Sequence, residues 1–155
     1  MNSSKSRFDN PMQNAISFDP TNPALPHGTE TILLVDDDEN ILDSITQILS
    51  ILGYHVLRTT SPERALQMAS DNKSSIRLLL TDVIMRGMDG PSLVAKILQI
   101  IPGLPVIYMS GYTSDVRFEH GIQSNDILLD KPFTHDCLSR TIRQVLDSSA
   151  LPPPG

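Results

Sequence analysis

The chain is poor in residues on which several classes of protein depend. Its 155 residues include one cysteine, no tryptophan and only 5% aromatic residues. The single cysteine, Cys137, excludes an internal disulfide and a cysteine-based zinc cluster, and it suits a reducing compartment. We expect Cys137 to be a small packed side chain on the last helix, because nothing near it in the sequence marks it as a reactive thiol.

Basic residues and long apolar runs are also scarce. The 12 Lys and Arg are outnumbered by 18 Asp and Glu, which gives a net charge of -6 without any basic run. A nucleic-acid-binding surface is therefore not expected. No apolar run approaches the roughly 18 residues of a membrane span, and Lys5 and Arg7 are not followed by the apolar stretch of a secretory signal. These features predict a soluble, cytoplasmic protein.

Proline is concentrated at the two ends of the chain. Of the 12 prolines, four lie in the first 29 residues and three in the last seven. Polar, proline-rich segments bury too little apolar surface to offset the entropy lost on ordering. We therefore expect a flexible linker or tail over residues 1–29, a single domain over 30–148 and a proline-rich tail over 149–155.

Between these ends, short apolar runs alternate with helical patterns. The apolar runs end near residues 35, 58, 80, 108 and 129, and each precedes a helix, including a short one at about 114–120. Ser61 before Pro62, and Thr134 before the last helix, are N-cap signals. The alternation predicts an α/β fold, a doubly wound flavodoxin-like (βα)5 domain with five parallel strands in the order 2-1-3-4-5.

Carboxylates, a serine hydroxyl and an amine follow four of the five predicted strands, and the carboxyl ends of parallel strands share one edge of the sheet. These residues are Asp36, Asp37 and Asp38 after the first strand, Thr81 and Asp82 after the third, Ser110 and Gly111 after the fourth, and Asp130 and Lys131 after the fifth. Taken singly, each also has a structural explanation, such as a helix N-terminus, a turn or a solvated charge. Their convergence on one edge favours a site.

Carboxylates held close together repel one another unless a cation is present. Oxygen ligands without His or Cys favour Mg²⁺, and a carboxylate beside Mg²⁺ with an amine and a hydroxyl fits phosphoryl transfer through an aspartyl phosphate. In this hypothesis Asp82 attacks in line, Lys131 neutralises charge on the transferring group, and the hydroxyl of Ser110 bonds a phosphoryl oxygen.

Four segments resemble the response-regulator receiver domain of two-component systems, in order and spacing, across residues 30–148. They are residues 32–39, 80–90, 108–112 and 130–133. The resemblance implies that Asp82 accepts a phosphoryl group from a histidine kinase or a histidine phosphotransfer domain. It further implies that Asp36, Asp37, Asp82 and the backbone carbonyl of Ile84 bind Mg²⁺.

The same resemblance implies that Ser110 and Gly111 form the phosphate-binding switch with Lys131, and that the Lys131–Pro132 bond is cis. The chain departs from the family at two positions: Arg86 stands where proline is frequent, and Leu128 stands where many relatives carry a switch aromatic residue. The stretch at 109–112 and the two tails are most similar to the receiver module of a hybrid sensor histidine kinase, although a free-standing regulator is also compatible.

Two alternatives stay open from the residues alone. One is a degenerate receiver that acts only as a protein-binding module. The other is an aspartyl-nucleophile phosphatase of the haloacid-dehalogenase type, which would need a second acid at the position of Ile84 and a cap domain. We therefore predict a phosphoacceptor switch that assists its own Mg²⁺-dependent phosphorylation, and not a turnover enzyme.

Overall fold

A computed structural model describes residues 25–111 and 120–149 of the chain. Within these ranges five strands are present: β1 Thr31–Val35, β2 His55–Thr59, β3 Ile76–Asp82, β4 Val106–Ser110 and β5 Ile127–Asp130. The same ranges contain four helices: α1 Glu39–Ile51, α2 Pro62–Asp71, α3 Gly90–Ile100 and α4 His135–Asp147. Most of the short helix predicted at 114–120 lies outside the described residues.

The five strands form one parallel sheet in the order β2-β1-β3-β4-β5. This order confirms the doubly wound flavodoxin-like fold that the sequence predicts. In the register, Val35 lies beside both Thr59 and Thr81, and Asp82 lies beside Met109. The carboxyl ends of β1, β3, β4 and β5 therefore meet at one edge.

Alternating side chains of the strands bury two cores, one on each face of the sheet. Leu33 and Leu79 belong to the core that packs against α2 and α3, whereas Leu34 and Leu80 belong to the core that packs against α1 and α4. Helices cover both faces of the sheet, so the side chains on both faces of a strand are apolar. The sequence of such a strand is therefore a continuous apolar run. The buried cores hold the strand ends in fixed relative positions.

Each of the four helices is preceded by a residue whose side chain accepts a backbone N–H of the first turn. Ser61 and Thr134 cap α2 and α4, which confirms both predicted helix starts. Asp38 caps α1 through the N–H of Asn40, and Asp89 caps α3 through the N–H of Ser92. These side chains satisfy donors that the helix itself cannot pair.

The prediction for Cys137 is wrong, because its side chain is exposed on α4. Leu138 and Ile142 form the buried side of this helix. Ser139 is buried beside them, and at about 100° per residue Cys137 lies on the other side of Leu138, outside the arc that these three residues cover. Of the helices in the described ranges, none has the length and apolar character needed to cross a membrane.

Arg143, on the last helix α4, links that helix to the segment before β1. Its Nη2 donates to Glu30 Oε2 at 2.6 Å, and its Nη1 donates to Glu30 Oε1 and to the carbonyl of His27, each at 3.1 Å. Both charged side chains are about three-quarters buried. The hydrogen bond from Arg143, opposed by partial burial, lowers the pKa of Glu30. Glu30 therefore stabilises the fold above the pKa it has when unfolded.

We expect Arg143→Ala to lower the free energy of unfolding by about 1.5 to 3 kcal/mol at pH 7, because it removes a bidentate charged contact. Arg140→Ala is the matched control, since Arg140 lies on the same helix and pairs with Asp136 at 2.7 Å in a more exposed position. Urea denaturation at several pH values checks this. The deficit of Arg143→Ala should shrink as the pH falls through the pKa of Glu30, and equal losses in both variants would contradict it.

Candidate functional site

A cleft opens at the carboxyl edge of the sheet, where the loops after β1, β3, β4 and β5 meet. It is lined by Asp36, Asp37, Asp38, Ile41, Asp82, Ile84, Met85, Arg86, Gly111 and Lys131. Most of the residues proposed from the sequence as site residues are therefore brought together. The cleft occupies the edge at which doubly wound sheets bind their ligands.

Asp36 is the most deeply placed acid of the cleft, with a side chain only 1% exposed. Its Oδ1 accepts the N–H of Asp38 at 2.9 Å, and its Oδ2 accepts the amine of Lys131 at 2.8 Å. A buried carboxylate requires such partners, because burial without them costs several kcal/mol. Asp36 is thus held in one orientation, with Lys131 beside it.

Asp82 is the last residue of β3, and its side chain is 12% exposed at the cleft. Its Oδ1 accepts the N–H of Val83 at 3.0 Å and lies 3.4 Å from Lys131 Nζ. Burial and the nearby charge of Asp36 raise the pKa of Asp82 to about 6, although Lys131 opposes the shift. The protein's own groups therefore do not fully offset what burial costs the charged form of Asp82.

Asp37 completes a group of three carboxylates. One ligand oxygen from each of Asp36, Asp37 and Asp82 lies within 4.8 Å of the others. Hard oxygen donors at this spacing fit Mg²⁺, which prefers one or two carboxylates together with water and phosphate oxygens. Burial first, and the charge of Asp36 second, raise the pKa of Asp82, and a divalent cation bound here would oppose both effects. The donor set therefore fits the metal predicted from the sequence.

Lys131 is the basic group at the centre of the site, and its side chain is 18% exposed. Burial acts to lower the pKa of Lys131, but its hydrogen bond to Asp36 and the charges of Asp82 and Asp36 give a net increase. The Lys131–Pro132 peptide bond is cis, as the resemblance implied. The amine is therefore a fixed positive charge between two of the three carboxylates.

Ser110 and Gly111 lie at the carboxyl end of β4, the strand that pairs with Asp82. Ser110 is the last residue of β4 and is 1% exposed, and its carbonyl accepts the N–H of Lys131 at 2.7 Å. Gly111 follows it and lines the cleft. This bond joins the ends of β4 and β5, so the serine and the lysine are positioned by the same pair of strands. The role of Ser110 as a switch hydroxyl stays a prediction.

Ile84 and Leu128 occupy the two remaining predicted positions. Ile84 lines the cleft after β3, and its service as a carbonyl ligand stays a prediction. Leu128 lies on β5 beside Tyr108 and packs against the core that faces α2 and α3. Its side chain is aliphatic, whereas, as noted from the sequence, many receiver domains carry an aromatic residue at this position.

Gly90 allows the loop after Asp82 to close tightly. Its N–H donates to the carbonyl of Val83 at 2.7 Å, and a Cβ at this position would collide with the backbone carbonyl of Asp82. Only glycine permits this approach of α3 to the end of β3. The close contact fixes the loop that carries Ile84 and Arg86.

Sequence reasoning missed the contact between Arg86 and Asp37. The N–H of Arg86 donates to Asp37 Oδ2 at 3.1 Å, and its Nε lies 3.4 Å from the same oxygen. The sequence marked Arg86 only as a departure from proline. No spacing in the sequence pairs Arg86 with Asp37, because 49 positions separate the two residues.

Comparisons with known proteins point to one family. A family model described as the response regulator receiver domain matches residues 32–143. The sensor kinase CckA of Brucella abortus (strain 2308) is 29% identical over 122 residues, which make up 77% of this chain and 13% of CckA. The chain thus spans a small fraction of that relative.

Two solved structures are similar over almost their whole length. The receiver domain of the hybrid histidine kinase CckA has a TM-score of 0.65 and 33% identity, and the match covers 75% of this chain and 98% of that one. The receiver domain of the sensor histidine kinase PA1611 of Pseudomonas aeruginosa PAO1, solved with magnesium in its active-site cleft, has a TM-score of 0.70 and 25% identity. That match covers 78% of this chain and 100% of that domain.

Proposed function

Because the chain belongs to the response-regulator receiver family, we propose that it accepts a phosphoryl group from a phosphohistidine onto Asp82 and changes conformation in response. The donor is a histidine kinase or a histidine phosphotransfer domain. We expect the transfer to take place in the cytoplasm, on a folded unit over residues 30–148. The single observation that carries the proposal is the meeting of three carboxylates with Lys131 in one cleft.

Asp82 is the nucleophile in this proposal, because it is the last residue of β3 and its carboxylate lies at the cleft. An oxygen of Asp82 forms a bond to phosphorus as the bond from phosphorus to the donor imidazole breaks, and the imidazole nitrogen takes up a proton. Asp36, Asp37 and Asp82, with the backbone carbonyl of Ile84, would hold Mg²⁺. When bound, Mg²⁺ neutralises charge on the transferring oxygens.

Lys131 lies 3.4 Å from Asp82 before transfer, so a small movement lets its amine pair with a phosphoryl oxygen instead of the free carboxylate. The hydroxyl of Ser110 would donate to another phosphoryl oxygen, with Gly111 leaving room beside it. Because the carbonyl of Ser110 is bonded to the N–H of Lys131, a change at either residue is transmitted to the ends of both β4 and β5. That coupling is the switch we propose.

Incubation with MgCl₂ and acetyl phosphate, followed by intact mass spectrometry, tests the proposal. The native chain should gain one phosphoryl group, and Asp82→Asn or an excess of EDTA should abolish the gain. No gain with this donor or with a phosphorylated histidine phosphotransfer domain would overturn the proposal in favour of a binding module. Multiple turnover of a phosphate ester would point to a phosphatase.

A further inference from the structure

Each of the three clustered carboxylates already has a basic partner from the protein. Lys131 contacts Asp36 at 2.8 Å and Asp82 at 3.4 Å. Arg86 Nε lies 3.4 Å from Asp37 Oδ2. Before any metal binds, Lys131 is therefore in contact with two of the three acids and Arg86 with the third.

The two basic side chains differ greatly in how firmly they are held. The side chain of Lys131 is 18% exposed, whereas that of Arg86 is 89% exposed. An exposed ion pair is weak, because water and salt screen it and because the long side chain loses entropy in holding one geometry. Arg86 can thus leave Asp37 at small cost, while Lys131 remains within the site.

The backbone of Arg86 is a separate contact from its guanidinium. The N–H donates to Asp37 Oδ2 at 3.1 Å, so the peptide orients the carboxylate whatever side chain follows. The guanidinium adds a positive charge at the same oxygen. A metal ion that used this oxygen as a ligand would have to compete with the guanidinium for the carboxylate. The guanidinium would also repel the metal ion, because both are positively charged.

We propose that the guanidinium of Arg86 is a removable counter-cation of Asp37 that competes with Mg²⁺ and weakens magnesium binding below what the three carboxylates alone would give. This inference rests on the metal site of the proposed function. Through Asp37, Arg86 thereby sets the fraction of the protein that holds Mg²⁺, and hence how readily Asp82 is phosphorylated.

Isothermal titration calorimetry with MgCl₂ tests the inference, using the full chain at low ionic strength. Arg86→Gln should bind Mg²⁺ roughly two- to fivefold more tightly than the native chain, as expected for loss of an exposed charged contact. Arg86→Lys should remain near the native affinity. Both variants retain the backbone N–H to Asp37, so the comparison isolates the side-chain charge.

Lys73→Gln is the matched control for net charge. Lys73 is exposed and precedes β3, so it lies at the edge of the sheet opposite the cleft. If Lys73→Gln tightened Mg²⁺ binding as much as Arg86→Gln, a general charge effect would explain the result and the inference would be overturned. Weaker binding by Arg86→Gln would also overturn it, because the guanidinium would then be positioning Asp37 for the metal.

Two further readouts make the test specific. The affinity difference between Arg86→Gln and the native chain should shrink as KCl is raised towards about 1 M, where screening acts over about 3 Å. The ¹⁵N resonance of Arg86 Nε should move as Mg²⁺ is added, and an unmoved resonance during saturation would contradict the inference. Absence of Mg²⁺ binding by the native chain would instead overturn the metal site of the proposed function, and this inference with it.

Discussion

Lys131→Met is expected to lower the free energy of unfolding of the metal-free protein by about 2 to 4 kcal/mol at pH 7, since it leaves a buried carboxylate without its cation. The side chain of Asp36 is 1% exposed and accepts the amine of Lys131 at 2.8 Å. Methionine fills a similar volume, so the loss measures the missing charge. Urea denaturation in EDTA provides the measurement.

Two controls separate this charge effect from damage to packing. Adding Asp36→Asn to Lys131→Met should recover part of the lost stability, because the unpaired charge is then removed as well. Lys73→Met, at an exposed position, should change the stability by no more than about 0.5 kcal/mol. A loss from Lys131→Met no larger than that of Lys73→Met would contradict the role given to Lys131.

Asp82→Asn is expected to raise the free energy of unfolding of the metal-free protein by up to about 3 kcal/mol at pH 7. Burial and Asp36 raise the pKa of Asp82 to about 6 from 3.8. An acid with a raised pKa in the folded state stabilises the fold fully below its unfolded pKa, and this stability is lost as the pH rises through the folded pKa. Asparagine carries no charge at any of these pH values.

Denaturation of the native chain and of Asp82→Asn between about pH 4 and pH 7.5, in EDTA, checks this dependence on the pKa of Asp82. The two stabilities should converge near pH 4 and separate through pH 6. Excess Mg²⁺ should narrow the gap at pH 7, because it stabilises the form with the complete carboxylate set. A difference independent of pH would contradict the electrostatic account of Asp82.

The sequence predicted the strand order and the cleft residues for a physical reason. In a doubly wound sheet the buried strands are continuous apolar runs, and their carboxyl ends must share one edge. Asp36, Asp82 and Lys131 each come within two residues of the end of such a run, so their meeting could be inferred without knowledge of side-chain contacts. The N-caps at Ser61 and Thr134 are local signals as well.

The contacts that the sequence did not reveal depend on loop paths and on distant pairings. Arg86 meets Asp37 across 49 positions, and Arg143 meets Glu30 across 113. No period or spacing encodes such pairs. The prediction for Cys137 failed for a local reason. Leu138 and Ile142 set which side of α4 faces the core, and the general apolar pattern does not show on which side of Leu138 the neighbouring cysteine lies.

Trapping the phosphoryl group chemically tests the central claim most directly. After incubation with MgCl₂ and acetyl phosphate, borohydride reduces an aspartyl phosphate to homoserine with release of phosphate, and peptide mass spectrometry then locates the reduced residue. The account predicts reduction at Asp82 alone, at the end of β3. Reduction at another acid, or a phosphorylated chain in which Asp82 stays unreduced, would contradict it.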